Sequence, residues 1–152
     1  MNVEEWNDSY GREVATWHYE PPYDFYDLAS DPDDEADMHD PARATHYRAV
    51  LADGETRLDA FWHFDWPHDA VEVGIGLRPD LTSRGLGESF LSAQLGYAAK
   101  AWHPATFRLF VADWNERAIR LYERLGFREV GSETRHFELL GDHEFLRMER
   151  AA

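Results

Sequence analysis

Val71, Val73, Ile75 and Leu77 alternate with Glu72, Gly74, Gly76 and Arg78, the period of a strand with one buried face. Pro79 cannot donate to a sheet ladder and ends it. Upstream, residues 45–51 and 58–64 read as an antiparallel pair around the turn signal Asp53-Gly54. Trp66-Pro67 and His68-Asp69 make the next turn, so residues 70–77 become the third strand of a meander. From Gly85 the period turns helical: Leu86, Phe90, Leu91, Leu95, Ala98, Ala99 and Trp102 share a face until Pro104. Residues 107–111 form a short apolar strand. Asn115 opens a second helix with Ala118, Ile119, Tyr122 and Leu125 on one side and Arg117, Arg120 and Arg124 on another. Gly126 closes that helix, and residues 127–130 and 145–148 predict the last strands.

The first third is less regular. Trp6, Tyr10, Val14 and Trp17 recur at helical spacing, which predicts an amphipathic helix over residues 4–17, and Pro21-Pro22 ends it. Tyr23, Phe25, Tyr26 and Leu28 read as a loop tucked onto the core, with the wall of a substrate pocket as the functional alternative. Residues 30–41, SDPDDEADMHDP, read as a solvated acidic loop, with attraction of an amine as the alternative. No internal repeat and no Gly- or Ser-rich linker interrupts the chain, so one α/β or α+β domain over residues 1–152 accounts for it.

Composition narrows the function classes. The chain of 152 residues with 14% aromatic residues can bury a sizeable core. It contains no cysteine, which removes disulfides, thiolate nucleophiles and cysteine-bound metals. No run approaches the ~18 apolar residues of a membrane span, and the first ten residues lack the basic and apolar regions of a signal peptide. The expectation is a soluble cytoplasmic protein. A net charge of −15 argues against nucleic acid and against an anionic membrane surface as partners. Residues 1–70 carry 18 acids against 4 arginines, whereas residues 71–152 carry 12 acids against 11 bases. Solubility alone explains such a bias; the sharper expectation places an anionic cofactor with the second stretch and a cationic substrate with the first.

Residues 71–87 hold the candidate chemistry. A strand, a glycine turn (Arg84-Gly85-Leu86-Gly87) and a helix N-terminus together form an anion site, because backbone N–H groups converge at the positive end of a helix dipole. Taken alone this signal is weak. It gains specificity from Asn115, Ala118, Tyr122, Gly126 and Phe127 at fixed spacing.

Together the two patterns resemble the GNAT N-acetyltransferase superfamily, whose members use acetyl-CoA. Thr82-Ser83-Arg84-Gly85-Leu86-Gly87 matches its phosphate motif Gln/Arg-x-x-Gly-x-Gly/Ala except at Thr82, and residues 115–127 match Asn-x-x-Ala-x-x-x-Tyr-x-x-x-Gly-Phe without a gap. The resemblance covers a core at residues 45–150, with residues 1–44 as a divergent N-terminal segment on the substrate side. It implies a mixed, mostly antiparallel sheet with helices on both sides and splayed central strands. The family's usual first strand is not evident before Val3.

The resemblance also implies roles. Pantetheine pairs with Ile75, Gly76 and Leu77, and Gly74 and Gly76 suit a bulge or close backbone approach. The diphosphate rests on Thr82, Ser83, Arg84, Gly85, Leu86, Gly87 and Glu88. Thr82 supplies at most a hydroxyl donor, which leaves Arg84 as the source of charge. Asn115 either bonds pantetheine or caps its helix. Tyr122 is the catalytic candidate, a neutral phenol able to protonate the departing thiolate. The base of the ribosomal-protein N-acetyltransferases, a Glu on the fifth strand, corresponds here to Phe110, which leaves Glu72, His63 and Asp113 as candidates. The other histidines lack metal-ligand spacing, so no metal is expected. The implied reaction is direct transfer of acetyl from acetyl-CoA to a primary amine. Alternatives are a non-catalytic acetyl-CoA-binding module and a protein N-terminal or lysine acetyltransferase. Homodimerisation is common in the family.

Overall fold

Capping chemistry, more than apolar period, decides where the first elements lie. The computed structural model describes residues 1–152. A strand, β1 (Asn2–Glu5), precedes a short helix, α1 (Asp8–Val14). The predicted helix over residues 4–17 is therefore corrected to a strand and a two-turn helix, and the first strand is present. The break comes at Asn7, whose extended backbone starts α1 while its side chain accepts the Ser9 N–H at 2.9 Å. The acidic run, expected as a loop, contains a second helix, α2 (Pro32–His39). Asp31 accepts from the Asp33 and Asp34 N–H groups, Pro32 stands in the first turn, and Asp33, Asp34 and Glu35 face the positive end of the helix dipole.

The remaining elements are β2 (Tyr47–Leu51), β3 (Leu58–Asp65), β4 (Ala70–Leu77), α3 (Gly87–Trp102), β5 (Thr106–Ala112), α4 (Glu116–Arg124), β6 (Arg128–Phe137) and β7 (Gly141–Ala151). The strands follow the order β1-β2-β3-β4-β5-β7-β6 in one sheet. Its pairs are antiparallel between β1 and β2, β2 and β3, and β5 and β7, and parallel between β4 and β5. This is the mixed, mostly antiparallel α/β architecture expected.

The chain packs as two compact units: Met1–His63 with Ile75–Ser83 and Phe137–Gly141, and Phe64–Gly74 with Arg84–His136 and Asp142–Ala152. In the first, Trp6, Val14, Trp17, Leu28, Met38, Tyr47, Ala49, Leu51 and Leu58 form the core. Trp6 ties its parts together: the ring lies 5.2 Å from Tyr47, and Nε1 donates to the Met38 carbonyl at 3.0 Å. Of the predicted aromatic cluster, Leu28 is buried and Phe25 meets Phe137 edge-on at 5.3 Å, as expected of a segment tucked onto the core.

In the second unit, α3 buries Phe90, Leu91, Gln94, Leu95 and Ala98 and ends at His103, whose left-handed backbone (φ 47°) closes the helix before Pro104. Phe64, Tyr97, Trp66 and Trp102 form a ring cluster at that end, with Phe64 and Trp102 4.8 Å apart. Strand β5 alternates: Phe107, Leu109 and Val111 are buried, whereas Arg108 and Phe110 point to the other face.

Candidate functional site

The β4–β5 ladder consists of Ala70–Thr106, Val71–Phe107 and Glu72–Arg108 and stops there, although β4 runs on to Leu77 and β5 to Ala112. Val73 and Gly74, the next residues of β4, have no partner on β5, an opening that the glycines and the family resemblance anticipate. A Cβ on Gly76 would lie 2.2 Å from the Phe61 ring, so the missing side chain makes room for Phe61. Gly76→Ala is expected to cost about 2 kcal/mol by overpacking, read as a lower urea midpoint at unchanged m.

Leu77 shows a contact that sequence reasoning missed. The Tyr19 hydroxyl donates to the Leu77 carbonyl at 2.6 Å, and burial pushes the Tyr19 phenol well above its ordinary range, so it stays a neutral donor. Nothing in the spacing of Tyr19 and Leu77, 58 positions apart, signals that bond. Arg78 then locks the strand end, donating to the Leu58 carbonyl at 3.0 Å and to Asp59 at 2.8 Å. Thr82, the position departing from the phosphate motif, spends its hydroxyl proton on the Pro79 carbonyl at 2.7 Å.

The glycine turn reaches α3 through left-handed residues, Ser83 (φ 60°) and Gly85 (φ 72°). Leu86 precedes α3 without any side-chain cap on the first amides, so those N–H groups are left for another acceptor. Arg84 is exposed and has no protein partner. No atom lies within 4 Å of where a Gly85 Cβ would stand. The chain thus leaves unblocked donors and one uncommitted guanidinium at one helix end, a donor set that suits a diphosphate. Gly87 has a packing reason as well: its Cβ would stand 3.0 Å from Leu121 Cδ2 of α4, while Glu88 pairs with Arg124 of α4 at 3.7 Å.

On α4, Asn115 is 7% exposed and its Oδ1 accepts the Ala118 N–H at 3.2 Å, so it is the helix cap. Tyr122 stands two turns along the same helix, half-buried, with its ring 6.3 Å from Phe127.

The three candidate bases have different surroundings. Asp113 is exposed. His63 lies 4.8 Å from the Tyr47 ring and stacks on His46 at 6.1 Å; Arg43 holds Nε2 of His46 at 3.0 Å. That histidine pair was not legible in the sequence. Glu72 is half-buried on β4, and burial, then Asp65, raises its carboxyl above the usual range, partly countered by Arg135 and Arg108. The Arg135 guanidinium lies over Phe110 at 4.3 Å and over Phe145 at 4.9 Å. Phe110, at the position where the resemblance implies a carboxylate base, is therefore the platform for a cation.

The model of the acetyltransferase (GNAT) family matches residues 3–127. A mycothiol acetyltransferase from Acidimicrobium ferrooxidans is 49% identical over 84 residues, 51% of this chain, but the match spans only 27% of that relative's length. A spermidine N(1)-acetyltransferase from Vibrio cholerae is 24% identical over 136 residues, 88% of this chain and 76% of the relative. Among solved structures, an acetyltransferase (GNAT family) from Bacillus anthracis shares the fold with a TM-score of 0.74 at 14% identity, covering 98% of this chain and 93% of the other. A spermidine N-acetyltransferase from Vibrio cholerae, solved in complex with CoA and spermine, superposes with a TM-score of 0.65 at 21% identity, covering 99% of this chain and 94% of the other.

Proposed function

This chain belongs to the acetyltransferase (GNAT) family, and from that premise we propose that it transfers an acetyl group from acetyl-CoA to a small primary amine. The observation that carries the reading is that, within the second unit, β4 loses its β5 partner after Glu72 and α3 begins without a side-chain cap. In this reading Ile75, Gly76 and Leu77 face the pantetheine arm. The amides from Ser83 to Glu88 and the Arg84 guanidinium hold the diphosphate. With its hydroxyl committed to Pro79, Thr82 contributes backbone only, and Asn115 acts first as the helix cap.

Acetyl-CoA supplies the thioester carbonyl that the amine attacks. Glu72 takes a proton from the incoming ammonium, so that the nitrogen lone pair is free when the C–N bond forms. Tyr122 delivers its phenolic proton to the sulfur as the C–S bond breaks; the second proton on the new amide nitrogen returns to the Tyr122 phenolate, and Glu72 releases its proton to solvent. Glu72 suits its part better than exposed Asp113, because a raised carboxyl is the stronger base once ionised.

The acceptor is a cationic amine of low molecular weight. The charge of residues 1–70, 18 acids against 4 arginines, supports this, as do the names of the spermidine acetyltransferase relatives. A thiol-release assay with acetyl-CoA and a panel of mono-, di- and polyamines tests the proposal: turnover is expected with amines of charge +2 or above. Binding of acetyl-CoA without turnover on any acceptor would favour a non-catalytic module, and preference for basic peptides would favour a protein acetyltransferase. Gly87→Trp places an indole at the α3 N-terminus and is expected to weaken acetyl-CoA binding by about 100-fold, read by calorimetry on a variant whose circular dichroism matches wild type.

A further inference from the structure

Burying a side-chain amide is unfavourable unless its polar atoms are bonded. Gln94 is 0% exposed in the middle of α3, and the other buried polar side chain is the helix cap Asn115. Its Nε2 donates to the Gly74 carbonyl at 2.9 Å. Gly74 is the second residue beyond Glu72, where the ladder to β5 stops. At the point where β4 opens, its backbone is thus held by a side chain from a helix. Gly87 lies seven residues before Gln94, about 10 Å along the α3 axis. One rigid helix therefore carries both the uncapped amides and the anchor of the strand.

We propose that Gln94 is a positioning residue for the acetyl-CoA arm: its amide pins the Gly74 carbonyl, so that the backbone of Val73 and Gly74 keeps its course unpaired with β5. The inference rests on the acetyl-CoA reading above and adds to it a residue that touches neither substrate nor reacting atoms. Gln94 belongs to no motif of the phosphate loop or of α4, and its role is visible only through the hydrogen bond.

The test separates the two ends of the ligand. The full chain is titrated calorimetrically with acetyl-CoA and with 3′-phosphoadenosine 5′-diphosphate, which keeps the diphosphate but lacks pantetheine. Gln94→Met, similar in length and without a donor, is expected to weaken acetyl-CoA binding about tenfold while leaving the diphosphate ligand unchanged. Equal affinities in variant and wild type overturn the proposal, as does a parallel loss for both ligands, which would mark a general packing role. Wild type that binds neither ligand overturns the acetyl-CoA reading itself, an outcome distinct from failure of Gln94 alone. Should Gln94→Met not fold, Gln94→Glu answers the same question. Its carboxyl donates to Gly74 only when protonated, so acetyl-CoA affinity relative to wild type should fall from about pH 5 to about pH 8. A pH-independent ratio overturns the proposal.

Discussion

Replacing Tyr122 by phenylalanine is expected to lower kcat by about 100-fold or more while acetyl-CoA affinity stays within about twofold. In the ground state the Tyr122 hydroxyl makes at most an ordinary hydrogen bond. Its contribution appears when charge develops on sulfur and the proton moves, which is an effect on kcat. Packing does not obscure the result. Tyr122 is half-buried beside Phe127, and phenylalanine preserves the ring and that 6.3 Å contact. Steady-state kinetics with a saturating amine, paired with calorimetric titration of acetyl-CoA, separates the two quantities. Unchanged kcat would remove Tyr122 from the chemistry and leave it as a packing residue of α4.

Glu72→Gln is expected to reduce kcat/KM for the amine by about 100-fold or more at pH 7 and to abolish the acidic limb of the pH profile. Burial raises the Glu72 carboxyl above the ordinary range. Since only the carboxylate accepts a proton, wild-type activity should climb as pH rises through that raised value. Arg135 and Arg108 oppose the rise, so Arg135→Ala should move the limb to higher pH. The sign for stability runs the other way. A carboxyl raised on folding favours the native state below its unfolded pKa, and that contribution is lost as pH rises through the folded value. At neutral pH the glutamine variant should therefore be at least as stable as wild type, so a lost rate would not mean a lost fold. Glu72→Gln with wild-type kinetics would exclude Glu72 as the base and favour His63, which lies beside Tyr47 and His46.

Period and turn chemistry made β4 legible over its whole length, Ala70–Leu77, and placed the start of α4 at the Asn115 cap, with its end put at Leu125, the residue after the observed end at Arg124. Both rest on local rules: alternation of side chains, a proline stop, a cap and a closing glycine. The N-terminal elements were misassigned where two local rules compete. Trp6 and Tyr10 share a helical spacing, yet Asn7 caps a helix that begins after Trp6, and Trp6 reaches the core from the junction. In the acidic run, charge suggested a loop, although Asp31 and Pro32 already form a helix start and Met38 supplies the buried anchor.

The sequence by itself determined the family, the glycine turn before α3, and the positions of Asn115 and Tyr122, because these are patterns of neighbours along the chain. Only the tertiary structure decided what surrounds them. It shows that Thr82 turns its hydroxyl to Pro79, that Phe61 occupies the space over Gly76, that Tyr19 holds the Leu77 carbonyl, and that Gln94 holds Gly74. The raised Glu72 carboxyl belongs to the same class, since it arises from burial and from charges brought in by β3, β5 and β6. The physical reason is common to all of them. Hydrogen bonds and desolvation act through space between residues about 3 to 60 positions apart, and no local period records which distant groups will meet.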